Sequence, residues 1–501
     1  MSAARLIRQG RPQGCRPCQR FLLEAGQWHA LVVALRDDPA LELLGLWAEA
    51  GLVHAAFNQP NEGLLMASVA VVAGQYPALS PVRPGAVRFE RMVQDLWGHV
   101  ASGAVDLRPW LDHGRWPAAA PMSARPVATT TAPPQPEFLP VEGEGVHQIP
   151  VGPVHAGIIE PGHFRLHVQG ETVVRLEARL GYLHKGTLGL MLGKSPRLAA
   201  RFAARLSGDS TVAHGWAFAQ AAEAAVGLAV PPRAVLLRAV AAERERLHNH
   251  LNDWGFICND AAFAWPHARL GVLREGVLRA AAAAFGHRLM MDLVVPGGVA
   301  RDMAPEGAEA IHAALAAVAR AVPDLLEVYE SHASLQDRVV GTGTLAPALA
   351  ARFAAGGPVG RASGRGFDSR KLPGYAPYNT LAFTVPVLEA GDVDARVRVR
   401  VAEVQQSLAL VESLLARLAP GELKAEFPQA GGEGLGVVEA FRGEALHWLH
   451  LDDGGLIRGV FMRDASWLQW PLLEAAIQGN IVADFPLCNK SFNCSYSGVD
   501  L

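Results

Sequence analysis

The chain has 501 residues, about half of them hydrophobic and about a fifth charged, with a formal net charge of −3. That length allows two or three domains with sound cores. The charge balance excludes nucleic acid as a bulk partner, since neutralising phosphates takes a basic surplus. The start, MSAARLIRQGRPQGCRPCQRF, is basic without an apolar core. It does not read as a signal peptide, and residues 1–19 are expected to be disordered. From 20 to 118 the pattern predicts a small α+β domain. GQWHALVVALRDD (26–38) has helical apolar spacing, while Leu41–Glu49, Leu52–Phe57 and Leu64–Val72 read as strands. Residues 119–148, rich in Pro, Ala, Thr and Glu and without periodicity, predict a linker. A β-hairpin or small sheet is expected over 149–180, followed by helices at 196–228, 232–257, 268–292, 306–331 and 393–418. The stretch 434–501 mixes short strands with a helix near 470–479. The most apolar window, Ala280–Ala300, is interrupted by His287, Arg288 and Asp292, so no membrane-spanning helix is predicted.

Several strings invite chemistry and do not support it. The five cysteines, at 15, 18, 258, 488 and 494, are too few and too scattered for a disulfide framework. Cys15-Arg-Pro-Cys18 has chelating spacing, but lies outside a strand-to-helix context and lacks nearby partner ligands. His248 and His250 stand two apart on a predicted helix and point to different sides, so they cannot share one metal ion. One is expected to pack inside and the other to face the surface or a subunit contact. GRASGRGFDSR (360–370) and PGGVARDM (296–303) lack the lysine and the strand context of a phosphate loop, which leaves no nucleotide site on this chain.

Other strings fit one family together. FERMVQDLWGHVASGAVDLRPWLDHGRWP (89–117) resembles the end of the small hydrophilic subunit of complex I. VGPVHAGIIEPGHFRLHVQGE (151–171) and LGYLHKGT (180–187) resemble the opening of the adjoining large subunit. RLSGDSTVAHGWAFAQAAE (205–223), VGRASGRGFDSR (359–370), VEAFRGEALHW (438–448) and DFPLCNKSFN (484–493) extend the likeness to the end. The chain thus resembles the complex I and membrane-bound nickel–iron hydrogenase large-subunit superfamily, in the fused order of the formate-hydrogenlyase type. The resemblance implies an α+β fold: a small N-terminal α+β domain at 20–118, then a mostly helical large-subunit-like domain at 149–501 with small flanking sheets.

It also implies where a site should be. Hydrogenases of this family hold nickel and iron on four thiolates from two Cys-x-x-Cys motifs, thiolate being a soft, readily deprotonated donor. Here those places fall on Ser207, Ser210, Ser495 and Gly498. Serine is a hard donor that stays protonated, and glycine offers no side chain, so a nickel–iron centre and any other metal on this chain are not expected. Cys488 and Cys494 lie near the second motif and read as structural. By the resemblance, Glu160 falls where a proton-transferring glutamate stands, His163 and Arg165 follow it, and Arg442 projects over the site. Asp209 adds a carboxylate inside the first degenerate motif.

The implied protein is a peripheral subunit on the cytoplasmic face of a membrane-bound energy-converting oxidoreductase complex. Its expected partners are an iron–sulfur protein that carries the cluster, antiporter-like membrane subunits and a membrane anchor subunit. One alternative is a quinone oxidoreductase subunit with an altered pocket and quinone as its ligand. Another is a scaffold without catalysis.

Overall fold

The computed structural model describes residues 2–59, 62–129 and 135–501. Alternating and continuous apolar runs near the N-terminus produce a five-stranded sheet. Its order is Arg11–Gln13, Arg20–Leu23, Gly63–Ala70, Leu52–Gln59 and Glu42–Glu49. The last three strands form an antiparallel meander, and Arg20–Leu23 joins Gly63–Ala70 in parallel. Most residues of these three strands are buried, which means both faces are covered. On one side lies a second sheet from the end of the chain, Gly432–Ala440, Gly443–Leu451 and Ile457–Arg463. Trp47 stacks on Phe461 at 4.8 Å and meets Trp448 at 5.6 Å, so the two sheets share one aromatic core.

The helical part is centred on Pro232–Asp260, a helix of 29 residues packed against Ala264–Phe285 and Val393–Ala416. Gly307–Ser331 packs on Ala264–Phe285 in turn. The central helix buries Glu243, Arg244, Glu245 and Arg246 as well as its apolar residues. Its buried charges are largely met by partners on other elements, as where Glu403 holds His250 and Arg246. No helix among the described residues is long and apolar enough to cross a membrane.

One packing detail fixes where the candidate residues go. Gly432, Gly434 and Gly436 line one face of their strand, and a Cβ at each would meet the carbonyl oxygen of Ala225, Ala221 and Ala217 respectively. The helix Thr211–Val226 therefore lies directly on the strand backbone. Four helical residues rise about 6 Å and two strand residues about 6.6 Å, so the two ladders keep step. Continued in the same sense, the register carries the start of the helix to the turn after Ala440, at Phe441 and Arg442.

Three expectations need correction. The first residues are not disordered: Ala3, Ala4 and Ile7 are buried, and Cys15–Arg16 adds a parallel edge strand beside Glu433–Gly434. Arg20 fixes this junction with two hydrogen bonds of 2.6 Å to Glu433, a partner 413 residues away that local composition cannot reveal. The helix expected at 196–228 is broken. Pro196–Ala203 ends before a short 3-10 turn, Gly208–Ser210, that leads into Thr211–Val226, because Ser207 is extended and its hydroxyl bonds locally. His248 and His250 are both buried, His250 with its Nε2 held 2.8 Å from Glu403 Oε2. The 149–180 region is a small sheet as expected, with three strands, Val146–Val151, His163–Gln169 and Thr172–Arg179.

The linker has no long element between Ala128 and Val146 among its described residues, and 130–134 lie outside them. Its end is nonetheless tied down. Leu139 donates to Glu177 at 2.9 Å, and Arg165 lies 4.4 Å from the Phe138 ring.

Candidate functional site

The helix-on-strand register delivers Asp209 to Arg442. Arg442 Nη1 donates to Asp209 Oδ1 at 2.7 Å and to Ser210 Oγ at 3.0 Å. Its Nη2 donates to Asp209 Oδ2, and its Nε to the Asn493 carbonyl. This bidentate pair joins the start of the Thr211–Val226 helix, the turn between two strands and the C-terminal tail. Arg442 is buried, whereas the Asp209 side chain remains 39% exposed. Burial pushes the Asp209 carboxyl up, but the Arg442 guanidinium beside it outweighs that and holds it below the usual carboxylate range.

The four degenerate ligand positions meet in the same place. Ser207 Oγ lies 2.8 Å from Ser495 Oγ and 2.9 Å from Asp209 Oδ1, and Gly498 N donates to Ser495 Oγ at 2.9 Å. Each hydroxyl has one proton, which orders the chain: Ser495 donates to Ser207, and Ser207 to Asp209. Positions 288 residues apart are thus bonded directly. Ser207, Ser210 and Ser495 are all buried.

These residues do not fit a nickel–iron centre. Such a centre needs four soft donors converging on one open space. The space here is closed: two hydroxyls bond each other, the third faces a guanidinium, and position 498 has no donor. A Cβ added at Gly498 would lie 2.8 Å from Ser495 Oγ and 2.9 Å from Asp464 Cβ. Asp464 occupies the volume into which a side chain at 498 would project. Cys494, one residue before the second motif, is buried with its sulfur 3.9 Å from Gln469 Oε1. Burial, the largest influence on both, pushes the Cys494 thiol up and the Cys488 thiol up to about 11. Neither is a ready thiolate.

Glu160 sits at the edge of this cluster. It is exposed, on the loop between Val146–Val151 and His163–Gln169, and its Oε2 accepts the Ser497 N–H at 3.0 Å. His163 lies outside the cluster. It begins its strand, with Nδ1 3.3 Å from the Gly152 carbonyl and Arg165 Nε 3.5 Å from Nε2.

Sequence reasoning missed several neighbours. Asp464 Oδ2 lies 3.0 Å from His214 Nε2, and His214 Nδ1 lies 3.0 Å from His447 Nε2. His214 stands one helical turn after Ser210 within the first degenerate string, and that spacing was the available signal. Tyr496, inside the second degenerate motif, places its hydroxyl 3.5 Å from His155 Nε2. A separate cavity of about 650 Å³ lies at the seam of the N-terminal sheet domain, the linker and Thr172–Arg179, lined by Arg88, Trp110, Phe138, Glu177, Arg179 and Glu474 among others. It shares no residue with the cluster.

A small α+β domain fused to a helical large-subunit fold, with a closed polar cluster at the confluence of two Cys-x-x-Cys-like positions, defines a protein of the hydrogenase and complex I large-subunit class. The family described as respiratory-chain NADH dehydrogenase, 49 Kd subunit, matches residues 266–431. Formate hydrogenlyase subunit 5 of Escherichia coli (strain K12) is 32% identical over 440 residues, covering 85% of this chain and 77% of that protein. Hydrogenase-4 component G of the same organism is 32% identical over 442 residues, with 85% and 76% covered. The carbon monoxide-induced hydrogenase of Rhodospirillum rubrum is 29% identical over 350 residues, with 69% and 97% covered. The chain belongs to the complex I and membrane-bound nickel–iron hydrogenase large-subunit family.

Proposed function

We propose that this chain is a peripheral subunit of a membrane-bound energy-converting oxidoreductase complex, that it works without a nickel–iron centre, and that it couples electron and proton chemistry to ion translocation. The observation that carries the reading is the Ser207–Ser495 hydrogen bond of 2.8 Å beside the Arg442–Asp209 pair, which puts hydroxyl and carboxylate chemistry where thiolates would stand. With no cofactor motif on the chain, electrons reach it from an iron–sulfur cluster on a partner protein. Antiporter-like membrane subunits and an anchor subunit would complete the assembly at the cytoplasmic face. The exposure of Glu160 at the edge of the cluster and the part-exposed carboxylate of Asp209 support a role for these two groups in proton exchange with that surface. Metal analysis of the purified complex is the test. Nickel is expected to be absent, and stoichiometric nickel together with hydrogen uptake would overturn the reading.

A second reading, quinone reduction in an altered pocket, is favoured by one contact. Tyr496 and His155 pair a phenol with an imidazole at 3.5 Å, beside a loop that exposes Val154 and Ile158. A quinone headgroup needs such hydrogen-bonding groups, and its tail needs apolar surface. A quinone-reductase assay of the intact complex, with Glu160→Gln and Arg442→Ala, separates the readings. Activity lost in both variants supports the quinone site; activity and ion transport unchanged in both leave only a scaffold.

A further inference from the structure

We propose that Asp464, His214 and His447 form a buried proton-holding group beneath Gly498, serving the hydroxyl cluster above it. Its use rests on the reading above; its existence does not. Asp464 is 1% exposed, and among the described residues its ion-pair partner is His214. The neighbouring arginines are committed elsewhere: Arg442 binds Asp209, and Arg463 binds Glu444 at 3.0 Å. A carboxylate this deep is strongly unfavourable unless a positive charge compensates it.

The hydrogen bonds say where that charge sits. Asp464 Oδ1 accepts from the Ser466 backbone N–H at 2.8 Å and from the Ser466 hydroxyl. Oδ2 faces His214 Nε2 at 3.0 Å, and His214 Nδ1 faces His447 Nε2, also at 3.0 Å. One proton lies between each facing pair. With both protons on His214, the ring is an imidazolium that donates to Asp464 on one side and to neutral His447 on the other. Burial first, and the adjacent His214 second, hold the His447 ring well below the usual histidine range, so His447 is the neutral acceptor. Moving the proton from His214 Nε2 to Asp464 Oδ2 leaves a neutral imidazole and a neutral carboxylic acid, with every hydrogen bond retained. The group can therefore relocate one proton without repacking.

Its placement gives it a use. Asp464 fills the space beneath Gly498, and Ser466, which donates to Asp464, accepts the Ser495 N–H at 2.8 Å. Ser495 heads the hydroxyl chain through Ser207 to Asp209, whose carboxylate reaches solvent. The charged groups facing the triad are Arg463 and Glu444 from the sheet, Arg442 from its turn, and Asp209 from the start of the His214 helix. Among these the arginines and carboxylates are paired one to one, which leaves Asp464 and His214 as the mobile charge.

Ring-nitrogen NMR of the full chain labelled with 15N-histidine tests the group directly. At neutral pH the wild type is expected to show a buried imidazolium that is removed in His214→Asn, which assigns it. It should become neutral in Asp464→Asn. A neutral His214 in the wild type, or a His214 imidazolium that survives Asp464→Asn, overturns the proposal, and the signal changed by either substitution identifies the ring if the other variant fails to fold. In the intact complex, His447→Gln should move the pH midpoint of turnover by roughly one unit while KM stays unchanged. An unchanged pH profile overturns the link to catalysis. A wild-type complex with no turnover would instead overturn the proposed function, leaving the NMR result to stand.

Discussion

Arg442→Ala tests the centre of the cluster. Arg442 donates to both Asp209 oxygens, to Ser210 and to the Asn493 carbonyl, and its guanidinium lies 4.4 Å from the Phe441 ring. Breaking a fully buried pair costs on the order of 3–5 kcal/mol, because the remaining charge is left uncompensated. Asp209 keeps 39% of its side chain exposed, so water recovers part of that loss. The expected destabilisation is therefore about 2–3 kcal/mol. Asp209→Ala strands the more deeply buried partner and should cost more, about 3–5 kcal/mol. In a double-mutant cycle read by urea unfolding of the full chain, the coupling should be about 2 kcal/mol. It should also depend on pH in a defined sense. The Asp209 carboxyl is held below its unfolded value, since Arg442 outweighs the upward push of burial. Its contribution is complete above the unfolded pKa, about 3.9, and fades as pH falls through the lower folded value. A coupling below about 0.5 kcal/mol at neutral pH would refute the reasoning, as would one that persists in strong acid.

Three further outcomes are expected. Gly436→Ala should cost about 3 kcal/mol or more, because the added Cβ meets the Ala217 carbonyl; a thermal melt unchanged from wild type would mean the helix does not lie on the strand as described. Burial pushes the Glu245 carboxyl up to about 8, against the N–H groups of Val212 and Ala213 that it accepts. The native state then keeps a proton that the unfolded chain loses near pH ~4.3, so stability falls as pH rises between those values by up to about 1.4 kcal/mol per unit. Glu245→Gln should flatten that slope, and urea midpoints across the range will show whether it does. Trypsin should cut slowly at Arg5 and Arg8, which lie in an ordered start closed by Arg20–Glu433. Rapid cleavage at either site in the folded chain would restore the disordered reading.

The elements that sequence reasoning found are those whose cause is local. Pro232–Asp260, Gly307–Ser331 and Val393–Ala416 carry long helical stretches, and their observed bounds lie within a few residues of expectation. The strands between 42 and 70 likewise follow from alternation and short turns. What failed locally was decided at long range. The first residues look polar and rich in turn formers, yet a strand pairing and an ion pair with Glu433 order them. His248 and His250 have the spacing of an inside–outside pair on one helix, but neighbouring helices cover both sides. The cluster itself was legible only through family resemblance, because no periodicity links Ser207 to Ser495. Asp464 carries no signal of its own, because a single aspartate after a strand has no distinguishing pattern.

The composition of the cluster also bears on whether it works or merely fills space. If these four positions served only a scaffold, apolar side chains would serve as well or better. Replacing a buried ion pair by packed hydrophobic residues is often neutral or stabilising by about 1–4 kcal/mol. Instead the positions hold Ser207, Ser210 and Ser495, with Asp209 and Arg442 above them and Asp464 and His214 below. Each of these polar groups is partnered, and the network opens to solvent through Asp209. Such a network is rigid where it is buried and reaches water at a single carboxylate. Packing alone requires neither property.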